Sequence, residues 1–193
     1  MQTAIRTPYL DPGLEPWPKE SAPRRALFLD RDGVINVDHG YVHTAARTDW
    51  IPGIFELVAQ AGAKGLLPVI VTNQAGIARG YYDEADFRRY TAWMHAEFRM
   101  RRSPLAATYF CPHHPIAGVG ELRCECTCRK PQPGMLLAAA QRLDIDLAGS
   151  VMLGDKVSDM EAATRAGVAT TLLVTAGNLE PVIDKFQAWG RQS

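Results

Sequence analysis

The chain has 193 residues, with 21 acidic and 21 basic side chains and a formal net charge of zero at neutral pH. That balance gives no electrostatic footprint for nucleic acid or for an anionic membrane surface. No apolar run reaches the roughly 20 residues of a membrane span, and the N-terminus lacks a signal-peptide core. The length suits one domain with a sizeable core, read as cytoplasmic and, by default, monomeric.

Residues 1–23 contain five prolines and little periodicity, so they read as an irregular leader before a domain spanning 24–193. Ala26–Leu29 is an apolar run expected to form a strand buried on both faces, ending at Asp30, Asp32 and Gly33. Pro52 to Ala63 reads as a helix with Ile54, Leu57, Val58 and Ala61 on one face. Leu66 to Val71 is a second strand, followed by Thr72-Asn73-Gln74 and a glycine-punctuated loop over Ala75–Gly80. Asp83 caps a helix running to about Arg101, whose stripe of Phe87, Tyr90, Met94 and Phe98 is core. Further strands are expected at Ala107–Phe110, Val151–Leu153 and Ala169–Val174, and helices at Gly134–Leu143, Asp159–Ala166 and Leu179–Trp189. This alternation implies a parallel sheet covered on both faces.

Three strands end in polar groups: Asp30 and Asp32, then Thr72 and Asn73, then Gly154-Asp155-Lys156 with Asp159 beyond. Parallel neighbours would gather these at one sheet edge, where open α/β sheets bind their ligands. Residues two apart on an extended chain point the same way, so Asp30 and Asp32 can reach one reacting group. Each part has a plainer reading: a turn for Asp30 and Asp32, a strand end for Thr72, a solvated Lys130, a helix cap for Asp155. Their joint placement at strand ends argues for a site. Clustered carboxylates need a cation among them, and hard oxygen ligands suit Mg²⁺. With a hydroxyl and a lysine, the set describes phosphoryl chemistry.

Cys111-Pro112-His113 and Cys126-Thr127-Cys128 form two close pairs of soft ligands, the spacing of a closed structural zinc site that would pin the loop 111–128. A disulfide or buried free thiols are the rival readings. His114 competes with His113 on chemistry alone, and Cys124 is an extra thiol without a place among four ligands.

Asp30-Arg31-Asp32-Gly33-Val34, Thr72-Asn73-Gln74, Lys130-Pro131 and Gly154-Asp155-Lys156-Val157-Ser158-Asp159 together resemble the signature of the haloacid dehalogenase superfamily of phosphotransferases. The resemblance implies a Rossmann-like three-layer α/β/α sandwich with a mainly parallel sheet, a zinc-stabilised loop and no large cap domain. It implies that Asp30 attacks phosphorus and forms an aspartyl-phosphate, while Asp32 protonates the leaving oxygen and later activates water. Asp30, Asp155 and the backbone carbonyl of Asp32 would hold Mg²⁺, with Asp159 behind them, and Thr72 and Lys130 would bind phosphoryl oxygens.

Cys111-Pro112-His113-His114-Pro115 and Cys128-Arg129-Lys130-Pro131-Gln132-Pro133-Gly134-Met135 resemble the zinc-containing branch, which holds heptose 1,7-bisphosphate and histidinol-phosphate phosphatases. Asp38-His39-Gly40-Tyr41-Val42-His43, Gly76-Ile77-Ala78-Arg79-Gly80 and Gly154-Asp155-Lys156 favour the heptose enzymes. By that resemblance Asp38, His39, Gly40, Tyr41, Thr72, Asn73, Gln74, Ala75, Arg129, Lys130 and Lys156 contact a sugar bisphosphate. The resemblance further implies loss of the anomeric phosphate, in lipopolysaccharide-core or nucleotide-heptose biosynthesis. Arg129 would clamp the second phosphate with its planar fork. Ala75 stands where the family carries Ser, and Val34 where it carries Thr. A histidinol-phosphate phosphatase is the neighbouring alternative. A phospho-receiver module is the non-enzymatic one, disfavoured because Asp32 supplies the acid/base group for dephosphorylation. A zinc-ribbon binding protein without catalysis is a third class.

Overall fold

Apolar runs of four to eight residues become the strands that carry the core. A computed structural model describes residues 5–14 and 23–188. Its elements run β1 (Tyr9–Leu10), β2 (Arg25–Leu29), α1 (Ile54–Ala63), β3 (Leu66–Asn73), α2 (Ala75–Ala78) and α3 (Glu84–Met100). They continue as β4 (Ala107–Cys111), α4 (Gly134–Leu143), β5 (Val151–Gly154), α5 (Val157–Ala166), β6 (Thr170–Leu173) and α6 (Glu180–Ala188). The sheet order is β1-β4-β3-β2-β5-β6, parallel throughout except for β1.

Alternation along β2 shows the two covered faces directly. Leu27 and Leu29 pack with Ile54, Leu57, Met94, Phe98 and Phe186, from α1, α3 and α6. Ala26 and Phe28 face the opposite way, onto Met135, Leu136, Ala139, Ala162 and Ala163 of α4 and α5. Side chains that alternate across a strand thus give the expected three layers. The central strands β3, β2 and β5 are buried on both faces, so polar groups at their ends meet where apolar cover stops.

Several expectations shift in detail. The leader is not wholly irregular: Tyr9–Leu10 pairs antiparallel with β4, and Asp11 behind it is fully buried. Asp11 accepts from the Gly13 N–H at 2.8 Å, pairs with Arg99, and lies 3.1 Å from His95 Nδ1. Two residues of edge pairing leave no periodic signal, which is why composition dominated the reading. α1 starts at Ile54 because Gly53 takes a left-handed φ of 85°. α5 begins at Val157, so Asp159 lies inside its first turn. The expected Ala75–Gly80 loop contains the one-turn α2. Trp189, expected to end the last helix, lies outside the described residues. Among the described residues, no helix is long and apolar enough to cross a membrane. None of them forms a separate domain over the site: the connection from β2 to α1 carries one 3₁₀ turn, and that from β3 to α3 carries α2.

Candidate active site

β2 delivers Asp30 directly beside β5, where its N–H donates to the Leu153 carbonyl at 2.9 Å. Lys130 enters from the loop before α4, and its ammonium sits 2.9 Å from Asp30 Oδ1 and 2.7 Å from Asp159 Oδ1. Its third proton goes to the Val71 carbonyl, 2.8 Å away at the end of β3. The backbone of Lys130 is held too: its N–H donates to Asn73 Oδ1 at 3.0 Å, and Asn73 Nδ2 donates to its carbonyl at 3.1 Å. All three charged groups are buried. Burial alone would discharge the lysine, but Asp30 and Asp159 outweigh it and hold the Lys130 pKa above its ordinary value.

Burial pushes the Asp30 carboxyl up to about 6 against the pull of Lys130, with Asp159 adding to the rise. Burial also raises Asp155. One lysine therefore does not neutralise this group of acids. Asp30, Asp155 and Asp159 each present an oxygen within 4.8 Å of the others, and Asp155 Oδ1 is buried with no hydrogen-bond partner. A buried carboxylate oxygen left unpaired beside two further acids fits a hard divalent cation. Two glycines make the approach possible. A Cβ at Gly33, whose φ is +88°, would meet Asp155 Oδ2 at 2.4 Å, and one at Gly154 would meet the Asp159 Cβ at 2.3 Å.

A cavity of about 570 Å³ opens over this cluster. Asp30, Asp32, Thr72, Asn73, Gln74 and Ala75 form its floor, while Asp38, Gly40, Tyr41, Arg129, Lys130 and Lys156 stand around them. His39 does not line it; its Nε2 is 2.7 Å from Asp49 Oδ2 on the surface. Asp155 faces an adjoining cleft of about 530 Å³ that shares Asp38 with the main cavity. Lys156 is largely exposed, 3.5 Å from Asp38 and 3.8 Å from Asp155, and its long stem can follow a ligand. The amides of Asn73 and Gln74 are already used inside the protein. With its oxygen toward Thr72 Oγ1 (2.8 Å) and its NH₂ toward the Tyr82 hydroxyl (2.6 Å), Gln74 satisfies both ends.

Sequence reasoning passed over two side chains here. Tyr82 lines the cavity and packs so closely on Gly76 that a Cβ there would lie 2.2 Å from its ring. Arg31, taken as the spacer between two aspartates, is buried, and its guanidinium binds Asp32. Neither had a signal: an arginine between two acids reads as solvated, and the second of two adjacent tyrosines, Tyr81 and Tyr82, beside a glycine-punctuated loop reads as surface.

The second cluster lies behind the cavity, whose lining includes Arg129 and Lys130, the two residues directly after Cys128. Cys111, Cys126 and Cys128 place their sulfurs 3.1–3.5 Å apart, and His113 Nδ1 lies 3.6 Å from Cys111 Sγ and 3.4 Å from Cys128 Sγ. No pair is at disulfide distance, so the disulfide alternative does not hold among these three. His114 points elsewhere, with Nδ1 accepting the N–H groups of Ile116 and Ala117, which settles its competition with His113. Cys124 stays outside the group. Three thiols and an imidazole converging as a closed tetrad fit zinc. The next residue, Arg129, donates to the His113 carbonyl at 3.1 Å, so the cluster also orients that guanidinium.

Residues 127–188 match the model of the HAD-hydrolase-like family. The chain is 53% identical over 150 residues to a D-glycero-alpha-D-manno-heptose-1,7-bisphosphate 7-phosphatase from Burkholderia mallei, covering 78% of this chain and 79% of that protein. The chain belongs to the heptose-bisphosphate phosphatases of the haloacid dehalogenase superfamily. As a member it is a phosphoric monoester hydrolase. The corresponding beta-anomer 7-phosphatase of Vibrio cholerae is 50% identical over 163 residues, covering 84% of this chain and 87% of that one. A crystal structure of the D,D-heptose 1,7-bisphosphate phosphatase from B. bronchiseptica, complexed with magnesium and phosphate, superposes with a TM-score of 0.69 at 34% identity. It covers 86% of this chain and 87% of its own. The names of the two sequence relatives put their cleaved phosphate at position 7, where the anomeric phosphate had been expected for this chain.

Proposed function

We propose that this phosphatase removes the 7-phosphate of D-glycero-D-manno-heptose 1,7-bisphosphate in a Mg²⁺-dependent reaction through an aspartyl-phosphate at Asp30. The observation that carries the reading is the Lys130 ammonium, shared between Asp30 and Asp159 beside Thr72 and the unpaired Asp155 oxygen. Asp30, Asp155 and the carbonyl of Asp32 would hold the metal, with Asp159 behind them fixing Lys130. Bound there, Mg²⁺ would supply neutralisation of the negative charge that gathers in the reaction.

An Asp30 oxygen bonds to phosphorus as the bond from phosphorus to the C7 oxygen breaks, and Asp32 gives its proton to that oxygen. Asp32, now ionised, takes a proton from water, whose oxygen attacks phosphorus and releases phosphate and the Asp30 carboxylate. Thr72 and Lys130 bind the equatorial oxygens as charge shifts. Asp38, Gly40, Tyr41, Asn73, Gln74, Ala75 and Lys156 shape the sugar site, His39 is held outside it against Asp49, and Arg129 clamps the remaining 1-phosphate. Cys111, His113, Cys126 and Cys128 would hold a structural zinc. The same proposal takes 1–23 as leader, 24–193 as one catalytic domain with its zinc loop at 111–128, and the protein as a cytoplasmic monomer of carbohydrate metabolism.

The test measures phosphate release from both anomers of the heptose 1,7-bisphosphate and from histidinol phosphate, with zinc and magnesium content determined on the same sample. The reading expects heptose 1-phosphate as product and a strong preference for the bisphosphate. Equal or better turnover of histidinol phosphate overturns the substrate assignment.

A further inference from the structure

Arg31 lies between the two motif aspartates and is only 2% exposed, although it carries a permanent charge. Its guanidinium donates to Asp32 through Nε at 3.2 Å and through one NH₂ at 2.9 and 2.7 Å, reaching both carboxylate oxygens. The same NH₂ donates to the Val42 carbonyl at 2.6 Å, at the end of the loop bearing Asp38 and Tyr41. The cation packs over the rings of Tyr90, at 5.3 Å, and Phe87, at 6.0 Å, on α3. Its backbone N–H donates to Asp30 Oδ1 at 2.8 Å. Burying a guanidinium is costly unless every donor finds a fixed partner. Here the partners are the Asp32 carboxylate, the substrate loop and the Gln74 side-chain oxygen, which accepts from the two NH₂ groups at 3.2 and 3.3 Å.

We infer that Arg31 is a positioning residue: it locks the Asp32 carboxylate in the orientation that delivers a proton to the leaving oxygen and ties that orientation to the 38–42 loop. A forked donor contacting both carboxylate oxygens fixes rotation about the last side-chain bond, which a point charge cannot do. Asn36 Nδ2, 3.0 Å from Asp32 Oδ1, supplies a second but lone contact. The inference rests on the proposed role of Asp32 as the acid.

The experiment compares kcat/KM for heptose 1,7-bisphosphate, whose alkoxide leaving group needs a proton, with that for p-nitrophenyl phosphate, whose leaving group does not. Arg31→Lys and Arg31→Met are each made alone and with Asp32→Asn. The ratio of the two substrates on one preparation is independent of the folded fraction, so partial misfolding does not blur it. Arg31→Lys is expected to lower the bisphosphate value about 100-fold, the scale of general acid catalysis. It should leave the aryl value within about threefold, and have no further effect in the Asp32→Asn background. Equal losses on both substrates, or a loss that persists on top of Asp32→Asn, overturn the role assigned to Arg31. If Asp32→Asn itself shows no selectivity between the substrates, the acid is misassigned and both readings fall.

Discussion

The acidic cluster takes Asp30 from the end of β2 and Asp155 from just beyond β5, far apart in the chain, whereas the thiolate cluster is drawn wholly from residues 111 to 128. The first is assembled by the sheet: buried strands bring the acids together whether or not a metal is present. It also holds its own cation, Lys130, hydrogen-bonded to Asp30, to Asp159 and to the Val71 carbonyl of β3. The second has no internal cation, and its loop offers little apolar cover of its own, with Ile116 and Val119 exposed near its tip. A metal in the sheet cluster would thus serve the proposed reaction, while one in the loop cluster would replace a missing core.

Asp30→Asn is the change that most sharply separates the two. It removes the attacking oxygen while leaving the loop untouched, so activity should fall roughly 10⁵-fold with zinc content unchanged. Phosphate release and metal analysis on one sample check both halves. A zinc content that fell with activity would mean the clusters are not independent. Cys128→Ser attacks from the other side. It should abolish zinc binding, make the 111–128 loop protease-sensitive, and reduce kcat/KM about 10²-fold through displaced Arg129 and Lys130. The far-ultraviolet circular dichroism of the sheet and its helices should persist.

Gly33→Ala puts a Cβ where Asp155 Oδ2 now lies and a side chain at a φ of +88°. Strain of about 1–3 kcal/mol is expected, appearing as weaker Mg²⁺ affinity with normal zinc content. The smallest effect separates the clusters by pH. Asp30 has a folded pKa of about 6, above its ordinary value of 3.8, because burial disfavours its charge. In metal-free protein this group therefore adds stability at acid pH that is lost as pH rises through about 6. Metal requires the ionised form, so the sign reverses for binding. Mg²⁺ affinity should drop about tenfold per pH unit below about 6, read as a shrinking Mg²⁺-induced rise in Tm between pH 8 and 5. An affinity flat across that range would mean Asp30 is already ionised.

What could be read from the sequence follows the same division. The cysteine–histidine cluster was legible because a loop cluster writes its spacing into nearby residues, down to a choice between His113 and His114 that only ring orientation resolves. The acidic cluster was legible from where Asp30, Thr72 and Asp155 stop their apolar runs, since strand ends in a parallel sheet share an edge. Side-chain partners were not. Asn73 and Gln74, assigned to substrate by resemblance, line the cavity, and their amides also bond to the Lys130 backbone and to Thr72 and Tyr82. Arg31 and Asp11 were missed because burial of a charge depends on partners remote in sequence or on another element. The leader strand Tyr9–Leu10 exists only through its pairing with β4.

Only Arg129 separates the thiolate of Cys128 from Lys130, whose own peptide group is gripped by Asn73 at both its N–H and its carbonyl. Two peptide units span no more than about 7 Å, so this tether has no slack to take up a shift at either end. Upstream, the stretch between His113 and Cys126 is anchored differently, by its own His114 N–H to Leu122 carbonyl bond at 3.0 Å and by the Val119 N–H donating to the Ala78 carbonyl of α2 at 2.9 Å. The two residues after the last sulfur therefore stay fixed in length, and an insertion there would pull Lys130 away from Asp30.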